Sequence, residues 1–264
     1  MPAPIPPLIQ PLLDAYLHAL EPLRSHFYGI YIYGSIALGA FEEWESDIDI
    51  IALTQGEWSS LELKRLKAIH GQLNKEYPFG KRLEVLYAPF RYLGIVHPGK
   101  AIVSYPAAHD GKFSPASRGG LNAVTWWTIR NNGIRLLGPE CDALPLDVTW
   151  DDVLSAMRFN LNVYFVRKAR RPYTYLHSGA VEFAVTNLCR ILTTIEEGEI
   201  ISKSESLTHW RDRLSTRWQT LIDEAWRIRQ HQEIPSLYRS RIVRMRETLA
   251  FIKYVRSLHR DFLS

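Results

Sequence analysis

YGIYIYGSIALGAFEEWESDIDIIALT, residues 28–54, reads as a strand, a Gly-Ser turn, a short helix or loop and a second strand. Tyr28 to Tyr33 has the aromatic and β-branched content of a strand. Gly34-Ser35 stops it, and Asp47-Ile48-Asp49-Ile50-Ile51-Ala52-Leu53 resumes a strand-like run. Side chains alternate along a strand, so Asp47 and Asp49 share one face and Ile48 and Ile50 the other. Two carboxylates on one face repel unless a cation lies between them. Such hard oxygen ligands suit Mg2+, which takes one or two carboxylates together with substrate phosphates. The Gly-Ser turn supplies the other half of such a site. Glycine lets a phosphate approach the backbone, and the serine hydroxyl and nearby N–H groups can donate to it. Either feature alone is commonplace; a glycine turn closing one strand and paired aspartates opening the next point to a metal-dependent phosphoryl-group site.

Working outward, Ile9 to Leu23 carries apolar residues at helical spacing (Leu12, Leu13, Tyr16, Leu17, Leu20) and predicts an amphipathic helix. Ser59 or Ser60 caps a second helix, with Leu61, Leu66, Ile69 and Leu73 mainly on one face, ended by Tyr77-Pro78-Phe79-Gly80. Arg82 to Tyr87 reads as a third strand, with Leu83 and Val85 on one side and Glu84 and Leu86 on the other. If the strands are adjacent, Glu84 leans over the same edge as Asp47 and Asp49. Residues 91–120 lack periodicity and are rich in Gly, Pro and Ser, which predicts a long irregular loop near the site. Leu121 to Gly133 reads as a helix carrying Trp126 and Trp127, and Trp126 is a candidate stacking platform for a sugar or base. Gly138-Pro139 closes this half and Glu140 to Asp147 reads as a connection. From Trp150 the pattern is helical: a start at Asp151-Asp152, a loop at Tyr173 to Ser178, and a strongly apolar helix from Gly179 to Glu197 ending at Gly198. A short helix follows from Ser202-Lys203 through Trp210, then two more at about Arg211–Gln230 and Pro235–Leu263.

At 264 residues, 46% hydrophobic and 23% charged, the chain has the composition of a globular protein of one large or two ordinary domains. It has no apolar run of the roughly 18 residues a transmembrane helix needs. The N-terminus lacks a basic segment, and Pro and Asp interrupt its apolar stretch, so no signal peptide is expected and a cytoplasmic location is. Cys141 and Cys189 fit reduced thiols. The net charge of +4 gathers in Arg167-Lys168-Ala169-Arg170-Arg171 and in arginines from Arg211 to Arg260. These read as solvated helix surfaces, with a secondary use in drawing in a polyanionic nucleoside triphosphate; nucleic acid is not the expected partner.

Gly34-Ser35 followed by Ser46-Asp47-Ile48-Asp49 resembles the signature of the nucleotidyltransferase superfamily that includes DNA polymerase β. Arg82-Leu83-Glu84-Val85 resembles the third acidic strand of the aminoglycoside (3'')(9)-adenylyltransferases, the streptomycin/spectinomycin resistance enzymes. Leu136-Leu137-Gly138-Pro139 is similar to the end of their N-terminal domain. Cys189-Arg190-Ile191-Leu192, Gly198-Glu199-Ile200 and Ser202-Lys203 through Trp210 are similar to their helical domain. The resemblance runs from about Gly29 to Trp210.

It implies an α+β chain: a nucleotidyltransferase domain over 1–143, built as a mixed sheet with flanking helices, and an α-helical bundle over 144–264, with substrates between the two. It implies transfer of AMP from ATP to a hydroxyl of an aminoglycoside or aminocyclitol; the competing readings are a nucleotidyltransferase acting on RNA or protein hydroxyls and a non-catalytic nucleotide-binding module. Asp47 and Asp49 would hold Mg2+, two ions by the family pattern, with Glu84 a general base as in the streptomycin/spectinomycin enzymes, a metal ligand as in other superfamily members, or both. Gly34, Ser35, Ser46, Arg190 and Lys203 would bind the nucleotide. A polycationic acceptor calls for an acidic pocket, for which Glu42, Glu43, Glu45 and Glu182 are candidates. The family's streptomycin-binding members carry acidic residues shortly before the Arg190 helix, whereas Leu176-His177-Ser178-Gly179-Ala180 has none, which speaks against streptomycin itself and leaves spectinomycin, another aminocyclitol or an unrelated hydroxyl compound as acceptor.

Overall fold

A computed structural model describes residues 2–96, 104–117 and 119–259. Contacts divide the chain into two compact units, Met1–Asp152 and Val153–Ser264. The chain is α+β.

The first unit holds a six-stranded sheet. Its strands are β1 (Phe27–Ile32), β2 (Ile48–Thr54), β3 (Leu83–Pro89), β4 (Tyr105–His109), β5 (Lys112–Ser117) and β6 (Ile134–Leu137). They lie in the order β5-β4-β3-β2-β1-β6. β2 and β3 are parallel and every other pair is antiparallel. Helix α1 (Gln10–Leu20) and the four-residue α2 (Gly34–Ala37) flank β1 in sequence. The parallel pair is joined by α3 (Ser60–Glu76), as a parallel crossover requires. Ser59 caps α3 by accepting from the Glu62 N–H, while the Glu62 carboxylate accepts from the Ser59 N–H.

Alternation decides what each sheet face does. Ile30 and Ile32 on β1, Ile48, Ile50 and Ala52 on β2, and Leu83, Val85 and Tyr87 on β3 join Leu12, Leu13 and Tyr16 of α1 and Leu66, Ile69 and Leu73 of α3 in one core. The residues between them point the other way. Asp49 and Glu84 belong to that second set, so the apolar face fixes where the carboxylates emerge.

Two expectations are corrected and one strand is added. The segment 91–120 is not a structureless loop: it contains the β4–β5 hairpin, although residues 97–103 and 118 lie outside the described residues. Residues 134–137 add a strand, paired with β1, ahead of the expected end at Gly138-Pro139. Leu61 is 76% exposed, off the apolar face of α3.

The second unit is helical. After α4 (Ala123–Asn132) in the first unit, α5 (Trp150–Phe159) runs across the division and passes through a π-helical turn, Asn160–Tyr164, into α6 (Phe165–Ala169). Then come α7 (Ser178–Glu196), α8 (Lys203–Arg211), α9 (Thr216–Arg229) and α10 (Arg241–Leu258). The core of this unit gathers Val181, Val185, Leu188 and Leu192 of α7, Trp218, Leu221 and Ile222 of α9, and Phe251 and Ile252 of α10. The last helix ends at Leu258, and residues 260–264 of the expected longer helix lie outside the described residues. No helix among the described residues is long and apolar enough to cross a membrane.

Candidate active site

The glycine turn and the aspartate strand meet directly. The Tyr33 N–H donates to the Asp49 carbonyl at 3.0 Å, extending the β1–β2 ladder to the turn. Gly34 follows with φ +68°, the left-handed region that penalises a side chain. A Cβ placed there would lie 2.0 Å from Asp49 Oδ2. The Asp49 carboxylate therefore occupies the space a side chain at position 34 would need. Only glycine meets both demands, and Ser35 follows at once in α2.

The parallel pairing of β2 and β3 sets Asp49 directly against Glu84. Partners in register present their side chains to the same face, so these two carboxylates are neighbours. Asp47, two residues before Asp49, contributes through its field. Burial pushes the Glu84 carboxyl above its ordinary value and the Asp47 charge pushes it the same way, while a hydrogen bond with His109 pulls it down. The side chain of Glu84 is 19% exposed, and His109 Nδ1 lies 2.5 Å from its Oε1. Tyr33 closes the group: burial raises its hydroxyl pKa well above normal, with Asp49 and Glu84 adding to the effect. A carboxylate whose ionised form is disfavoured by burial and by a like charge is poised for a cation or for proton transfer. The oxygen donors of Asp47, Asp49 and Glu84 suit a hard divalent ion such as Mg2+. Among the described residues, the set of possible ligand atoms that lie within 4.8 Å of one another is centred elsewhere, on Glu84, His109 and Asp110. His109 was not singled out in the sequence, although it ends a strand before an Asp-Gly turn, a strong short hairpin signal.

The loop between the turn and β2 is pinned from the start of β3. Arg82 donates to the carbonyls of Glu42 at 3.2 Å, Glu43 at 2.5 Å and Ser46, and its guanidinium lies over the rings of Phe79 and Phe41. Ser46 is buried, and its hydroxyl oxygen accepts from the Glu42 N–H at 2.9 Å. That places Ser46 in the loop's internal bracing, a correction to its expected contact with nucleotide. Glu42 is half-buried, while Glu43 and Trp44 face solvent. Trp44 is 56% exposed.

Two expected acceptor contacts are corrected. Trp126 is fully buried and its indole N–H donates to the Ile95 carbonyl at 3.0 Å, so it is a core residue with no face left to stack on a sugar. Glu182 is buried, with Arg229 Nη1 at 3.3 Å from its Oε1, and this ion pair offsets the charge that would attract a cationic drug. In the helical unit, the Arg190 Nε–H donates to the Ile201 carbonyl at 2.9 Å, which ties α7 to the segment leading into α8. Lys203 is the first residue of α8, set by a capping box between Ser202 and Glu205. Arg190 is thus tied to the chain two residues before Lys203.

Residues 176–251 match the family model described as the aminoglycoside adenylyltransferase C-terminal domain. Among solved structures, the chain is similar to a spectinomycin adenylyltransferase, AAD(9), from Enterococcus faecialis, crystallised with ATP and spectinomycin, with a TM-score of 0.70 at 14% identity. That likeness covers 92% of this chain and 98% of the other, and shows the fold. No curated protein matches the chain by sequence.

Proposed function

We propose that this chain is a nucleotidyltransferase that transfers AMP from MgATP to a hydroxyl of an aminocyclitol or aminoglycoside, releasing pyrophosphate, a reading supported by the family match over residues 176–251 and by the likeness of fold. The observation that carries the reading is the pairing of Asp49 with Glu84, with the Asp49 carboxylate packed against the Gly34 turn. Asp47 and Asp49, with Glu84, would hold the divalent ion. When bound, Mg2+ supplies neutralisation of phosphate charge. The Gly34-Ser35 turn, whose glycine leaves room for the Asp49 carboxylate beside it, receives the triphosphate, and Arg190 and Lys203 are the cationic candidates for nucleotide binding. Glu84 accepts the proton of the acceptor hydroxyl as that oxygen bonds to the α-phosphorus. The bond from the α-phosphorus to its bridging oxygen breaks, and pyrophosphate carries the electron pair away. Positioning and charge stabilisation supply most of the rate.

For the acceptor, the favoured side of the site is the loop that Arg82 pins, where Glu43 and Trp44 present a carboxylate and an aromatic face to solvent. Glu182 is already paired to Arg229 and residues 176–180 carry no acid, so these positions offer little to the guanidinium groups of streptomycin. Spectinomycin is the better candidate. The test is mass spectrometry after incubation with MgATP and, separately, spectinomycin, streptomycin or an RNA oligonucleotide. A spectinomycin product heavier by one adenylyl group is the expected result. An unmodified drug beside adenylylated RNA would replace this reading with a macromolecular acceptor.

A further inference from the structure

We propose that His109 is a positioning residue for Glu84, holding one oxygen of that carboxylate so that the other faces the acceptor hydroxyl; the role rests on Glu84 being the proton acceptor of the proposed reaction. The argument begins with register. β3 pairs with β4 through Val85 with Ala108 and Leu86 with Ala107, so one step further along the same ladder Glu84 stands across from His109. β2 pairs with β3 through Asp49 with Glu84. Asp49, Glu84 and His109 therefore form one polar row across three neighbouring strands, on the face turned away from the α1 and α3 core.

The row closes with a contact of 2.5 Å between His109 Nδ1 and Glu84 Oε1. An ionised carboxylate only accepts, so Nδ1 carries the hydrogen. The terminal torsion of a glutamate is broad, and one strong donor fixes it. His109 is itself held by the hairpin. It pairs with Lys112 around the turn Asp110-Gly111, whose φ values of 49° and 68° are those of a tight two-residue turn. Asp110 Oδ2 lies 3.4 Å from the other ring nitrogen. The His109 side chain is 69% exposed and forms no part of the core, so its removal separates aim from folding.

The experiment compares His109→Ala, His109→Asn, Glu84→Gln and the Glu84→Gln/His109→Ala double variant, with MgATP and spectinomycin. His109→Ala should lower kcat by about tenfold to a hundredfold, the usual cost of losing such a supporting bond, with KM for both substrates within about twofold. His109→Asn, whose amide can reach the Nδ1 position, should recover most of the loss. The double variant should be no slower than Glu84→Gln, because both changes act through one group. A wild-type kcat in His109→Ala, with Glu84→Gln inactive, would overturn the positioning role and leave the proposed function standing. A rise in acceptor KM alone would make His109 a substrate contact, and a changed Mg2+ requirement would make it a metal ligand; either overturns the proposal. Normal transfer by Glu84→Gln would remove both readings.

Discussion

Two carboxylates, one in each unit, are treated in opposite ways. Glu224 on α9 is fully buried and accepts from Arg227 Nε at 2.9 Å and Nη2 at 3.0 Å, Arg244 Nη1 at 2.9 Å, the Ser236 hydroxyl at 2.7 Å and the Leu237 N–H at 3.0 Å. Burial alone would raise its pKa, yet these bonds bring it down to about 2. Glu84 is less buried, sits beside Asp47 and Asp49, and its pKa is raised. The helical unit spends its polar groups on satisfying a charge. The sheet unit crowds like charges where its strands come into register. A satisfied carboxylate holds a structure together, and a crowded one offers a place for a cation or a proton.

The largest effect should come from breaking the satisfied site. Glu224→Ala leaves Arg227 and Arg244 facing a buried void and should destabilise the chain by about 3–5 kcal/mol, read by chemical denaturation. The acid limb follows from the sign of the shift. A carboxyl depressed in the folded state contributes stability that is complete above the unfolded value of 4.5 and is lost as pH falls toward about 2. Wild type should therefore lose stability across that window, and Glu224→Ala should lose less of what remains.

The smallest effect should come from relieving the crowded site. A carboxyl whose folded pKa is raised favours its protonated form, so its ionised form costs stability once pH rises through the folded value. Glu84→Gln should accordingly raise the midpoint of thermal unfolding at pH 7 by about one to a few degrees, measured with chelator present, while ending transfer. A lowered midpoint would mean that the His109 contact outweighs the crowding and would blur the contrast between the two sites.

How much of this the sequence disclosed depends on the range of the interaction. Strand alternation is local, so the side on which Asp49 emerges was legible, as were the glycine turn and the helix starts at Ser59 and Ser202, whereas Asp47 lies just ahead of the strand, which begins at Ile48. The partner of Glu84 was not, because strand adjacency depends on pairing between distant segments; the expectation held only as a conditional. The β4–β5 hairpin escaped notice because Pro106, Pro115 and its small residues have weak strand propensity, which hid the Asp110-Gly111 turn and with it His109. Tryptophans looked alike in sequence, yet Trp126 is buried and Trp44 exposed. Glu182 looked available because Arg229 lies 47 positions away. Arg82 gave no local sign that it would hold the carbonyls of residues 42, 43 and 46.

The central claim, that the Asp47, Asp49 and Glu84 face holds a divalent ion with nucleotide, is tested most directly by paramagnetic resonance of Mn2+ titrated into the protein with ATP. Wild type should sequester Mn2+, and Asp49→Asn, folded to the same degree by circular dichroism, should leave most of it free. Equal uptake by both proteins would contradict the account.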